Sequence, residues 1–254
     1  MKSNDGYDSP LAPSRRVLRE GTFNARDAGG YPLLGGGWMA RGRLYRSDAL
    51  SALTENDIDE FKRLGIRSVI DLRDLRESAV APDIVDRRAV RYERVAIFED
   101  RLFERDMTAF PSLLGLYQII MDDHVPQLIR VLKLLSEVSG EPVLVHCTAG
   151  KDRTGLILAL VHAIAGLPPQ VIVEDYGASE KILGGGFDDR IRALYRQAAI
   201  PVAVLGDNPR HAPPAYLQHT LETMRTAAGS IPAFLARNGL SPTEQERLAR
   251  NLTR

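Results

Sequence analysis

Val143-Leu144-Val145-His146-Cys147-Thr148-Ala149-Gly150-Lys151-Asp152-Arg153-Thr154-Gly155 is the stretch on which the reading of this chain turns. The apolar run Val143-Leu144-Val145 reads as a buried strand, and the run from Leu156 to Ala165 as a buried helix. Between them lies a tight loop that begins at Cys147, the one cysteine of the chain. A loop feeding a helix start presents consecutive backbone N–H groups together with the unpaired N–H groups of the first turn. Together they form a socket for a tetrahedral dianion. Arg153, six residues after Cys147, can close that socket with a planar fork suited to bidentate contact with phosphate. Thr148, Ala149, Gly150, Lys151, Arg153 and Thr154 are therefore the candidate anion-binding residues.

The chemistry asks for this spacing. A free thiol ionises near ~8.5, whereas thiols at helix starts beside cationic groups ionise at roughly 3.5–7.5, so the thiolate becomes the resting nucleophile. The same donors then hold the three equatorial oxygens of a phosphoryl group in transfer. Thr154 is placed to donate its hydroxyl to the sulfur and help it leave. The expected reaction is phosphate-ester hydrolysis through a cysteinyl-phosphate. An inert buried cysteine would leave Gly150, Lys151, Arg153 and Gly155 unexplained.

His-Cys-x-x-Gly-Lys-Asp-Arg-Thr-Gly, from His146 to Gly155, resembles the signature loop of cysteine-dependent phosphatases. It is most similar to the atypical bacterial protein tyrosine phosphatase-like family, some of whose members also act on phosphoinositides. Three blocks resemble that family's N-terminal part and follow its order: Asn24 to Tyr31, Arg46-Ser47-Asp48, and Gly65 to Arg73. The similarity runs over roughly residues 17 to 250, and the loop is its most specific part. The resemblance implies an α/β fold with a tyrosine-phosphatase-like central sheet flanked by helices. It also implies Cys147 as nucleophile and Arg153 as phosphate ligand. The Trp-Pro-Asp acid motif of standard tyrosine phosphatases is absent, for Trp38 is the one tryptophan and Met39 follows it.

The general acid must then come from elsewhere. Asp152 lies inside the socket, where a bound dianion and a thiolate repel its carboxylate and favour the protonated, donating form; the resemblance supports this placement. Asp71 ends the apolar run Ser68-Val69-Ile70 and is the second candidate, because reacting groups gather at the carboxyl ends of strands in open α/β sheets. Its alternative role is to hold the signature loop by hydrogen bonds. Asp100 and Asp106 are weaker candidates. Lys151 adds a charge that suits substrates with several anionic groups, or else tunes Cys147 or pairs with a carboxylate. His146 is read as a loop-fixing residue, and Arg26 or Asp27 either approaches the site or braces its own loop.

Bulk properties narrow the class. The 254 residues carry 33 basic and 33 acidic side chains, and this balance gives no electrostatic reason to bind nucleic acid. A single cysteine permits no intrachain disulfide and fits a reducing, cytoplasmic setting, with export lacking a signal peptide left open. The longest apolar run is too short to span a bilayer. No metal or cofactor is called for, since there is no zinc-type ligand cluster, no Walker loop and no His-Glu-x-x-His.

Residues 1–16 read as a flexible leader and 17–254 as one phosphatase domain, helical from about residue 168 to the end. Thr54 caps a helix that Gly65 stops, and strands are expected at Ser68 to Leu72 and Arg91 to Ile97. Helices are expected at Leu113 to Asp122, Val125 to Val138, Pro168 to Tyr176 and Asp188 to Ala198, with a hinge at Gly184 to Gly186. Further starts fall at Pro213-Pro214, Ser230 and Ser241-x-x-Glu244. The stretch 176–215 reads as a lid over the socket or as a plain helical cover. The expected activity is phosphotyrosine hydrolysis in proteins, extending to phosphoserine and phosphothreonine, with a phosphoinositide phosphatase as the alternative. A rhodanese-like sulfurtransferase leaves Asp152 and Thr154 unexplained, a phosphate-binding pseudoenzyme should have lost a catalytic group, and an arsenate reductase should carry more cysteines.

Overall fold

The computed structural model describes residues 7–98, 112–138, 140–197, 202 and 208–254. Its five-stranded sheet is built from β1 (Arg26–Asp27), β2 (Leu44–Ser47), β3 (Ser68–Asp71), β4 (Arg91–Arg94) and β5 (Val143–His146), in the order β1-β2-β5-β3-β4. Only the β1–β2 pair is antiparallel; β2, β5, β3 and β4 run parallel. β5 is central and in register with both neighbours, His146 lying opposite Ser47 and Asp71. The carboxyl ends of three parallel strands thus meet at Cys147, where α/β sheets place their ligands.

The helices are α1 (Glu55–Arg63), α2 (Leu75–Val80), α3 (Leu113–Asp123), α4 (Val125–Glu137), α5 (Asp152–Ala165), α6 (Pro169–Gln197), α7 (Pro214–Ala228), α8 (Ile231–Arg237) and α9 (Pro242–Leu252). Their starts follow from sequence chemistry. Thr54, Asp74 and Ser241 each accept from the N3 amide in a capping box, and Ser230 caps α8. Strand side chains alternate between two cores. Leu44, Ile70, Val143 and Val145 join α4, α5 and the C-terminal helices. Tyr45, Val69 and Leu144 join Phe61 of α1, with Leu50 and Leu53. α5 is buried over nine consecutive residues, from Thr154 to His162, as a central helix should be.

Three expectations are refined. Within the stretch read as a flexible leader, residues 7–16 are anchored at Arg15, which is fully buried, donates to the carbonyls of Asp8, Ser9, Gly29 and Gly30, and stacks on Tyr31. Asp74 to Glu77, read from sequence only as a polar stretch of mixed charge, opens a helix, α2, because Asp74 and Glu77 cap each other. The two expected helices at 168–198 form one element that kinks at Gly184 (φ 65°, ψ 175°), within the expected hinge. Asp100 and Asp106 lie outside the described residues, as do 198–201 and 203–207 of the stretch read as a lid.

Candidate active site

The loop from Cys147 to Arg153 is shaped by what its carbonyls do. Thr148 O accepts from Ala49 N (3.2 Å) and Ala149 O from Asn24 Nδ2 (2.9 Å). Gly150 O accepts from Asn24 Nδ2 (3.0 Å) and Arg46 Nη2 (2.6 Å), and Lys151 O from Gly155 N (2.8 Å). Three of these carbonyls are held by the surrounding scaffold and the fourth by the first turn of α5. The N–H groups of Thr148 through Arg153 have no acceptor among the described residues. Free donors in such a run are suited to an anion, and Cys147, 2 % exposed, immediately precedes them. Gly150 is obligatory in it: φ is +63°, and a Cβ there would lie 2.3 Å from Ser47 O.

The donors that hold the loop are themselves locked. Asp175 of α6 pairs with Arg46 (Nη1 to Oδ2, 2.5 Å) and Arg26 (Nε to Oδ1, 3.4 Å), and accepts from Tyr31 Oη at 3.0 Å. Burial works against its charge, but the two guanidinium groups hold its carboxyl well below the usual range. Asn24 is seated by Asp48, whose carboxylate accepts from the amides of Phe23 and Asn24. The N-terminal blocks thus form a brace behind the loop. Arg26 does not brace its own loop through an internal ion pair; its partner is Asp175 of α6, 149 positions on.

Arg153 is aimed by Glu77. Its two terminal nitrogens donate to the two Glu77 oxygens, each at 2.6 Å, and Thr148 Oγ1 donates to Glu77 Oε1 at 2.5 Å. This end-on grip leaves the Nε edge of the guanidinium with no acceptor among the described residues, so a second bidentate contact is available to phosphate. Burial would raise the Glu77 pKa, yet the Arg153 charge and these hydrogen bonds bring it down to about 2.

Asp152, the first-choice acid, stands at the start of α5 with its side chain 28 % exposed. Oδ1 faces Tyr176 Oη at 3.3 Å and Tyr117 Oη at 3.5 Å, and the two phenols are bonded to each other at 2.8 Å. Tyr176 gets this close because residue 155 is glycine; a Cβ there would sit 2.7 Å from the Tyr176 ring. Of the roles open to Lys151, pairing with a carboxylate is the one observed. Its ammonium donates to the carbonyls of Pro209 (2.9 Å) and His211 (2.7 Å) and lies 3.5 Å from Asp152, tying the loop to segment 208–212. Thr154 is fully buried and its hydroxyl has no partner among the described residues, so it remains available to the sulfur.

Asp71 adopts the structural one of its two roles. It is fully buried and accepts from Arg73 N, Nε and Nη2 (2.9–3.0 Å) and from Tyr92 Oη (2.8 Å). His146 lies between Asp71 (3.8 Å) and Asp83 (3.0 Å), with Nδ1 3.3 Å from Cys147 O. Burial disfavours its charge, but the two carboxylates outweigh that and raise its pKa. Asp71, Asp83 and His146 bring ligand-type atoms within 4.8 Å of one another. Arg73 already pairs with both carboxylates, at 2.9 and 2.8 Å, so this set reads as a salt-bridge cluster and not a metal site. From the Gly184 kink onward, with Leu183 just before it, α6 packs Leu183, Phe187 and Ile191 with Ala149 of the loop and with Tyr195, and Tyr195 lies in the field of Glu77, Arg153 and Cys147.

Sequence reasoning missed Glu77, Asp175, Tyr117 and Tyr176, and gave Asn24 and Arg46 no role. For Glu77 the signal was present as Asp74-x-x-Glu77, a capping pattern directly after a strand. The other contacts span 24 to 149 positions and leave no local trace.

A model of the tyrosine phosphatase family matches residues 18–254. The chain belongs to the tyrosine phosphatase family. It is 32 % identical over 212 residues to a tyrosine-protein phosphatase of Nostoc commune, covering 80 % of this chain and 71 % of that one. It is 30 % identical over 248 residues to the triple specificity protein phosphatase PtpB of Mycobacterium tuberculosis, covering 82 % and 89 %. Among solved structures, P. aeruginosa TpbA aligns with 17 % identity and a TM-score of 0.31, covering 77 % and 91 %. Like its family this phosphatase is a hydrolase of phosphoric monoesters. Among the described residues no helix is long and apolar enough to cross a membrane.

Proposed function

We propose that this phosphatase hydrolyses phosphotyrosine in proteins through a cysteinyl-phosphate intermediate. The observation that carries the reading is the loop after Cys147, whose carbonyls are bonded while its amides and the Arg153 Nε edge have no acceptor among the described residues. In the first step Cys147 Sγ attacks phosphorus as the bond to the phenolic oxygen breaks, and Asp152 gives that oxygen its proton. In the second step Asp152 takes a proton from water as water displaces the sulfur, with the Thr154 hydroxyl donating to Sγ. The amides and Arg153 hold the equatorial oxygens throughout. The distal half of α6 acts as a cover, and equal protease sensitivity of this stretch with and without orthovanadate would count against that role.

The triple specificity in the name of the M. tuberculosis relative supports more than one substrate class, so phosphoserine, phosphothreonine and phosphoinositides belong in the test. Steady-state hydrolysis of a phosphotyrosine peptide and of a soluble phosphoinositide, with Cys147→Ser as blank, decides between them. Turnover of the peptide alone fits the proposal, while faster turnover of the lipid headgroup moves the assignment to lipids. Residual activity of Cys147→Ser above a few per cent, with retained vanadate binding, would remove the covalent step.

A further inference from the structure

On the sheet face that carries Tyr45, Val69 and Leu144, helix α1 and the irregular segment 81–90 enclose a cavity of about 640 Å³. That volume lies in the range of small-molecule sites. Its walls are apolar, from Leu53, Ile58, Phe61, Ile66, Val85 and Val90, and Ile84 stands at it 44 % exposed. The polar lining is sparse and uneven. Lys62 is paired with Asp59, and Asp86 Oδ1 caps its own turn by accepting from Arg88 N. Asp83 is committed to His146, Arg73, Tyr92 and the Leu50 amide. Arg67, also in the lining, is exposed and its guanidinium has no partner among the described residues.

We propose that this cavity is a binding site for a single-chain aliphatic carboxylate, with the chain against the apolar walls and the head on Arg67. One unpaired cation at an apolar cleft selects an amphiphile of one negative charge over a neutral or cationic one. The site does not overlap the socket. It is joined to it through Asp83, which lines the cavity and holds His146, the residue before Cys147. Occupancy that shifts segment 81–90 therefore alters the support of the nucleophile and changes turnover.

Calorimetric titration of decanoate into the full chain, with the socket saturated by orthovanadate, tests the site. The expected result is saturable binding at one site, strengthening roughly three- to fourfold per methylene from octanoate to decanoate. Arg67→Glu, an exposed change, is expected to weaken binding at least tenfold and leave ligand-free turnover unaltered. Ala89→Trp, which fills the cavity, is expected to abolish it. Decanol binding as tightly as decanoate, undiminished binding to Arg67→Glu, or no saturable binding would each overturn the proposal. A change in kcat on adding decanoate to the wild type but not to Arg67→Glu carries the link to the socket; equal effects on both would remove that link.

Discussion

Glu77 performs two tasks with one carboxylate. It closes the capping box of α2 by accepting from Asp74 N, and it fixes the Arg153 fork and the Thr148 hydroxyl. Glu77→Gln keeps the shape and removes the charge, and a charge-assisted hydrogen bond is worth about 1.5–3 kcal/mol. We expect kcat/KM on an aryl phosphate to fall by roughly ten- to a hundredfold, with near-UV circular dichroism unchanged. Asp152→Asn should act differently. Esters with poor leaving groups should slow by about 10²–10⁴-fold and those with good ones far less, because only the former need the proton. Equal losses across a leaving-group series would assign the acid elsewhere. Asp71 would not be the replacement, since Arg73 and Tyr92 already occupy both its oxygens.

At the scale of elements, α5 and α6 meet where Gly155 admits the Tyr176 ring. Gly155→Val should force the tyrosine away from Asp152 and overpack the junction, lowering stability by about 1–3 kcal/mol in a urea melt and depressing kcat beyond that. Most elements here were legible because local chemistry declares them. Thr54, Ser230 and Ser241 announce their helices, and Pro213-Pro214 opens α7. The signature strand and helix are apolar runs on either side of one loop. The brace behind the loop was not legible. Arg26, Arg46 and Asp175 are charged residues whose burial makes sense only once a helix some 130 positions away is laid against the sheet. Glu77 was hidden for a different reason, because a six-residue helix is too short to show a helical period.

For the whole molecule, the last helix completes the core. α9 packs on α4 and α5, and the backbone of Trp38 and Ala40 bonds to Arg254 and Leu252. Leu248→Ala, at a site 1 % exposed, should lower global stability by about 2–5 kcal/mol by chemical denaturation. Acid should destabilise the fold through two groups. Burial holds His162 down to about 4 from 6.5, so the unfolded chain binds more protons between those values and stability falls as pH drops through that window. Glu77, at about 2 against 4.5, extends the loss to lower pH. The raised His146 acts in the opposite direction, its contribution fading as pH climbs past its folded value. A denaturation midpoint that stays flat from pH 7 to pH 4 would contradict this. The outward-bonded carbonyls of the signature loop carry one more consequence. A cradle fixed by its own scaffold recognises the oxyanion and is indifferent to what hangs from it. Orthophosphate should thus compete with every substrate alike, and discrimination among esters falls to the rim supplied by other elements. Exchanging rim residues should reorder the preferred esters and leave inhibition by free phosphate where it was.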